Sequence, residues 1–169
     1  DGDGITAEDL HVDARGGVRL AGGNVDLGAV EIQPERFVVS TLDDETFDGG
    51  SLLEEAADGA GLSLREALAF ANGGSTFDVI EFNPVLSGGT LTLTNGDLDI
   101  EEDVLINGDI NGDDIADITV DANNSSRAFS LISGDTTLNG LIIQNGASGS
   151  GGGVRVYGGY AEYATLLLS

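Results

Sequence analysis

The chain has 169 residues, with 30 Asp or Glu against 6 Lys or Arg (all six are Arg), for a formal net charge of −24. That balance argues against nucleic acid and anionic membrane surfaces as partners, and it permits cation binding or a high-salt habitat. No apolar run is long enough to span a bilayer, and 27 Gly, 2 Pro, no Cys and no Met beside abundant Val, Ile and Leu describe an ordered, turn-rich, all-β chain.

Residues 1–33 are polar and Gly-rich, and the lack of Met at position 1 reads as a processed product or a piece of a longer chain. Asp1-Gly-Asp-Gly-Ile-Thr-Ala-Glu-Asp9 reads as a polar terminus rather than as the tail of a calcium loop. Residues 25–32 form a candidate strand with Val25, Leu27, Val30 and Ile32 as its apolar positions. Asp13-Ala-Arg-Gly-Gly-Val-Arg-Leu20 and Val25-Asp-Leu-Gly-Ala-Val-Glu31 resemble the segment that closes many bacterial β-helix domains. The resemblance implies that residues 1–36 are a closing-type segment and joint belonging to a preceding unit, with the 25–32 strand as the assembly contact.

Residues 41–60 are acidic and Gly-rich, and Ser51-Leu-Leu-Glu54 is a possible capping box within them. Asp43, Asp44, Glu45 and Asp48 read as a solvated acidic loop in preference to a cation site. The clearest helix signal follows. Ser63 and Glu66 make a Ser-x-x-Glu capping box, Leu64, Ala67, Leu68 and Ala71 form one apolar stripe, and Asn72-Gly73 is a stop. One helix ahead of many short strands reads as a cap, with Ser63, Leu64, Glu66 and Leu68 as its working residues.

Leu62-Ser-Leu-Arg-Glu-Ala-Leu68 resembles the Cys-Ser-Leu-Arg-Glu-Ala motif of a family of bacterial secreted proteins, and Phe37–Glu45 and Asp78–Phe82 fit the same pattern. The resemblance covers roughly residues 37–157 and implies a right-handed parallel β-helix, secreted or at the cell surface. The chain departs from it at Leu62, where the motif has Cys. A disulfide is therefore excluded there, and apolar packing must take its place.

From Asp78 the pattern is periodic. Short β-rich runs begin at Leu91, Ile118, Leu141 and Leu166, and a second column begins at Phe129 and Val154, with spacings of 23 to 27 residues. Repeats of this length signal a solenoid of stacked rungs. Asn95-Gly96, Asn107-Gly108, Asn139-Gly140 and Asn145-Gly146 supply turns. A hairpin reading of these pairs would give an antiparallel sandwich instead. The favoured organisation is an acidic loop and helical cap over 37–77 and β-helix rungs over 78–169. The expected inward residues are Val79, Ile80, Phe82, Leu91, Leu93, Leu98, Ile100, Leu105, Ile118, Val120, Phe129, Leu131, Leu141 and Ile143.

The strongest candidate for chemistry is Asp109-Ile-Asn-Gly-Asp-Asp-Ile-Ala-Asp117. Asp109, Asn111, Asp113 and Asp117, with the Ile115 carbonyl, place hard oxygens at the spacing of a curved Ca²⁺ loop. The match to an EF-hand loop is partial, because Asp114 stands in the Gly position and Val120 in that of the final Glu. It more closely resembles the calcium loops of extracellular β-propellers and β-helices. The unliganded alternative is an acidic turn.

Catalysis has little support. His11 is the one His and reads as a surface residue; Arg127 reads as pairing with a neighbouring acid. The expectation is a structural extracellular or cell-surface β-helix — an adhesin, matrix fibre or filament subunit — that is Ca²⁺-stabilised, self-associates head to tail and is not an enzyme. The alternative is a carbohydrate-binding or polysaccharide-degrading β-helix, with Tyr157, Tyr160 and Tyr163 as a small platform for a surface carbohydrate.

Overall fold

The computed structural model describes residues 34–157 throughout, together with the strand backbones of Leu20–Ala21, Asn24–Val25 and Thr165–Leu168. The chain divides into two compact units, Asp1–Pro34 and Glu35–Ser169. In the first, β1 (Leu20–Ala21) and β2 (Asn24–Val25) form an antiparallel pair. Val25 thus lies in a strand, whereas Leu27, Val30, Ile32, His11 and Asp1–Asp9 lie outside the described residues.

The second unit opens with β3 (Arg36–Val39), then two helices, α1 (Leu52–Glu55) and α2 (Leu64–Asn72). After them the strands come in threes: β4 (Asp78–Phe82), β5 (Thr90–Thr92) and β6 (Leu98–Ile100); β7 (Val104–Asn107), β8 (Ile118–Asp121) and β9 (Phe129–Leu131); β10 (Asp135–Asn139), β11 (Leu141–Gln144) and β12 (Val154–Val156); and finally β13 (Thr165–Leu168). From β4 to β10 each strand pairs in parallel with the one three places on, and β3 pairs in parallel with β4. The result is three sheets, in the orders β13-β10-β7-β4-β3, β11-β8-β5 and β12-β9-β6. Stacked in register, they make a solenoid of the parallel β-helix kind.

Registered pairing carries each inward side chain onto its neighbour one rung away. Phe37, Ile80, Ile106 and Leu138 form one row, Leu91, Val120 and Ile143 a second, and Leu98, Phe129 and Val154 a third. These rows belong to one apolar core, which also takes in Leu62, Leu64, Ala67, Leu68 and Ala71 from the cap. Like stacking on like keeps the interior dense without any long-range matching of shapes.

The antiparallel alternative does not hold, because the Asn-Gly pairs turn the chain from one sheet into the next. Asn139-Gly140 joins β10 to β11, and Gly140 sits at φ +61° where a Cβ would collide with the Asp109 backbone, so only Gly fits that corner. Neighbouring corners are tied by Asn139 Nδ2 donating to Asn107 Oδ1 at 2.7 Å.

The expected column of Leu91, Ile118, Leu141 and Leu166 is corrected at its last member. Leu166 belongs to β13 and pairs with Thr136, in a different sheet from β5, β8 and β11. In β7 the inward residues are Val104 and Ile106, and Leu105 is half-buried on the other face, in register with Val79. Val79 is buried but outside the main core, and Leu141 and Ile143 are only partly buried against it. They lie on β11, the outer strand of its sheet.

The cap and candidate metal sites

The helix α2 forms where its sequence signals place it. Ser63 Oγ accepts from the Glu66 N–H at 3.2 Å and Glu66 Oε2 accepts from the Ser63 N–H at 2.7 Å, a reciprocal box that satisfies two donors of the first turn. Leu64 and Leu68 are fully buried, and α2 contacts β3, β4 and β6. At the departure from the Cys motif, Leu62 is buried in the core while its carbonyl accepts from Ser40 N at 2.8 Å.

Two polar side chains of α2 do work that the apolar stripe does not reveal. β6 is the first strand of its sheet, so among the described residues one of its edges lacks a strand neighbour. Asn72 stands in for one, donating from Nδ2 to the Asp99 carbonyl at 3.0 Å and accepting at Oδ1 from the Glu101 N–H at 2.9 Å. Arg65 continues the line, donating to the Gly96 and Asp97 carbonyls at 2.9 Å each. Its remaining donors reach Asp44, from Nε at 2.7 Å and Nη2 at 3.2 Å. The Asp44 carboxylate, with 1% of its side chain exposed, also accepts from the N–H groups of Thr94 and Asn95. Burial alone would raise the Asp44 pKa, but the Arg65 bond, those two N–H donors and the Arg65 charge outweigh it and hold the carboxyl below its ordinary 3.8. Asp44, expected as a solvated loop residue, is thus the buried hub joining the 41–45 segment, α2 and the β5–β6 corner.

The predicted calcium loop, Asp109–Asp117, joins β7 to β8. Asp109 is 7% exposed and its carboxylate accepts from three backbone N–H groups, those of Gly112 (2.8 Å), Asp113 (3.2 Å) and Asp114 (3.0 Å). Asn111 Oδ1 accepts from Asp113 N and Asp113 Oδ1 from Ile115 N. Asp117 accepts from Ser87 Oγ and Ile110 N, which lower its pKa against a smaller effect of burial. Asp114 takes φ +61°, the left-handed conformation for which calcium loops use Gly at that position. The loop therefore has the tight curl its spacing predicts. Asn111, Asp113 and Ile115 are on its exposed side, and Asp109 anchors it from within.

Carboxylates converge elsewhere. Glu45, Asp58 and Glu66 form one group whose candidate ligand oxygens all lie within 4.8 Å of one another, and Asp48, Glu55 and Asp58 form another. Asp58 is common to both. Glu66 and Glu55 are each 1% exposed, which is unusual for carboxylates. Burial, then the neighbouring Asp48 carboxylate, raise the Glu55 pKa above its ordinary 4.5, with the Gly50 N–H opposing. These acidic clusters can hold a metal ion. Glu45 and Asp48 belonged to the sequence-level acidic cluster; Glu55, Asp58 and the second role of Glu66 had no local signal.

On the outer side of the β6-β9-β12 sheet, Arg127 Nε lies 3.5 Å from Asp97 Oδ2, as expected of an Arg pairing with a nearby acid. Arg127 also donates to Tyr157 Oη at 2.8 Å, and Arg155 lies over the Tyr157 ring at 4.1 Å. Tyr157 is thus engaged by two guanidinium groups. Tyr160 and Tyr163 lie outside the described residues.

Comparison with family models, curated proteins and solved structures finds no match for this chain. Among the described residues, no helix is long and apolar enough to cross a membrane.

Proposed function

We propose that this chain is a structural segment of an extracellular or cell-surface rod, a right-handed parallel β-helix stiffened by Ca²⁺. The observation that carries the reading is the in-register stacking of three parallel sheets. Such a solenoid grows by adding rungs and has no natural closed length, which suits a fibre or an adhesin stalk. Right-handedness follows from the strong preference of parallel crossovers for that hand. The acidic surface and the curled Asp109–Asp117 loop support an ion-rich setting, with Asn111, Asp113, the Ile115 carbonyl and Asp117 binding Ca²⁺ beside Asp109. The outer strands β11, β12 and β13 support head-to-tail growth, since a parallel edge accepts a further strand from a continuing chain or a neighbouring copy.

The test is electron microscopy and light scattering of the chain with Ca²⁺ and with chelator. Elongated particles whose length or number rises with Ca²⁺ are expected. Compact monomers under both conditions would sink the rod reading. Asp113→Ala should lower the Ca²⁺-dependent gain in Tm, because an ion bound only by the folded form stabilises it.

A further inference from the structure

We propose that the carboxylate cluster at the cap is a cation site separate from the Asp109–Asp117 loop, in which Asp48, Glu55 and Asp58, adjoined by Glu45 and Glu66, hold Ca²⁺. Acidic side chains near one another on a protein this acidic are no argument by themselves. The decisive atom is Glu55 Oε2. Glu55 is 1% exposed, and its Oε1 accepts from the Gly50 N–H at 2.7 Å. Its Oε2 is buried and, among the described residues, has no hydrogen-bond partner. A buried carboxylate oxygen without a donor is costly, and the side chains gathered about Glu55 are themselves carboxylates, those of Asp48, Asp58 and Glu66. The nearest basic side chain along α2, Arg65, is committed to Asp44 and to two carbonyls.

A cation resolves this arrangement. Two oxygens bound to one Ca²⁺ lie at most about 5 Å apart, given Ca–O bonds of roughly 2.3–2.6 Å. The Asp48, Glu55 and Asp58 oxygens all lie within 4.8 Å of one another, and so do those of Glu45, Asp58 and Glu66. All candidate donors are carboxylate oxygens, with no His or Cys among them, which selects a hard ion over a soft one. Ca²⁺ is favoured over Mg²⁺ because it accepts many protein carboxylates in an irregular shell, whereas Mg²⁺ retains its waters. Backbone seats two of the ligands closely. A Cβ on Gly59 would collide with the Glu45 carboxylate, and one on Gly50 would come within 2.5 Å of Glu55 Oε1. Asp48 and Asp58 also line an open depression with Gly49, Gly50, Glu54 and Ala57, which gives a hydrated ion a way in. An ion here would fasten the 45–60 loop and α1 to the start of α2.

The experiment is calorimetry and thermal unfolding of the 169-residue chain carrying Asp113→Ala, with Ca²⁺, Mg²⁺ or chelator. This background disables the other loop, so remaining Ca²⁺ binding reports on the cap. Ca²⁺ binding with a rise in Tm is expected, together with slower proteolysis within residues 46–60. Adding Glu55→Gln should abolish both while leaving the chain folded in chelator, since the change removes a buried charge without removing volume. No Ca²⁺ response in Asp113→Ala, a response that survives Glu55→Gln, or an equal response to Mg²⁺ would each overturn the site. A chain that binds Ca²⁺ here yet stays compact and monomeric would refute the rod reading and leave this site standing.

Discussion

At the residue scale, the Leu-Arg-Glu-Ala stretch of α2 divides its labour cleanly. Leu64 and Ala67 are core, Glu66 closes the capping box, and Arg65 clamps Asp44 and two carbonyls of the β5–β6 corner. With side chains only 17% and 1% exposed, Arg65 and Asp44 form a shielded pair. Removing one partner leaves the other desolvated and unmatched, which is what makes such pairs costly to break. Asp44→Ala should therefore lower stability by about 3 kcal/mol, read by urea titration, the low end of the range because Arg65 keeps its two carbonyls. A loss below half a kcal/mol would place the clamp on the solvated surface. Asp121 gives a pH prediction. The Asn123 N–H and the Asn145 side chain outweigh burial and, with Gln144, lower its pKa below 3.8. A carboxyl depressed on folding binds fewer protons in the folded than in the unfolded state at intermediate pH. Its stabilisation is full above about pH 4 and is lost as pH falls through the lowered value. Asp121→Asn should be less stable at pH 6 and should flatten the fall in Tm between pH 4 and pH 2.

At the element scale, α2 meets the solenoid in two ways at once. Leu64 and Leu68 join the apolar core, and Asn72 and Arg65 hydrogen-bond backbone groups of β6 and the corner before it. Leu68→Asp inserts a charge among core side chains and should cost about 2–5 kcal/mol, measured by thermal or denaturant unfolding. An unchanged Tm would show that α2 does not close the core. Helix α2 was legible in the sequence because its signals are local: a capping box, an apolar stripe and a stop within a dozen residues. The strands were legible as runs but less so in phase. Val104-Leu-Ile106 is apolar throughout, so alternation could not say that Leu105 points away from the core. Leu166 was assigned to the wrong sheet because loops of unequal length join the strands, and a spacing near 25 residues also occurs between runs in different sheets. The tight turn of Asp109–Asp117 was readable because its side-chain oxygens are close in sequence. The cap cluster was not, because Glu45, Asp48, Glu55, Asp58 and Glu66 are brought together only when two capped helices and their glycine turns fold.

At the scale of the whole molecule, the question is what meets the outer rung. β13 pairs on one side with β10 and is the last strand of its sheet, and Leu168 on it is exposed. As the outer strand among those described, β13 offers a backbone edge that can pair with a further parallel strand, from the continuing chain or from a neighbour. Residues 1–33, expected from their sequence to be a closing segment, stand at the opposite end of the sequence from that rung. The chain divides at Pro34 into two compact units, and a β1–β2 pair is described in the first. The hypothesis is that this segment docks on the end of a preceding unit, with the 25–32 stretch as the contact. A heterologous contact of that kind does not close on itself, so repetition gives a filament. Deleting residues 1–33 should leave the solenoid folded, with an unchanged unfolding transition, and should abolish higher-order species in light scattering and filaments by electron microscopy. Adding the isolated 1–33 peptide to the full chain should compete for the same end and shorten the assemblies. Filaments that persist without the segment, or a full-length chain that stays monomeric at high concentration with Ca²⁺, would reduce residues 1–33 to a linker and leave the rod without this joint.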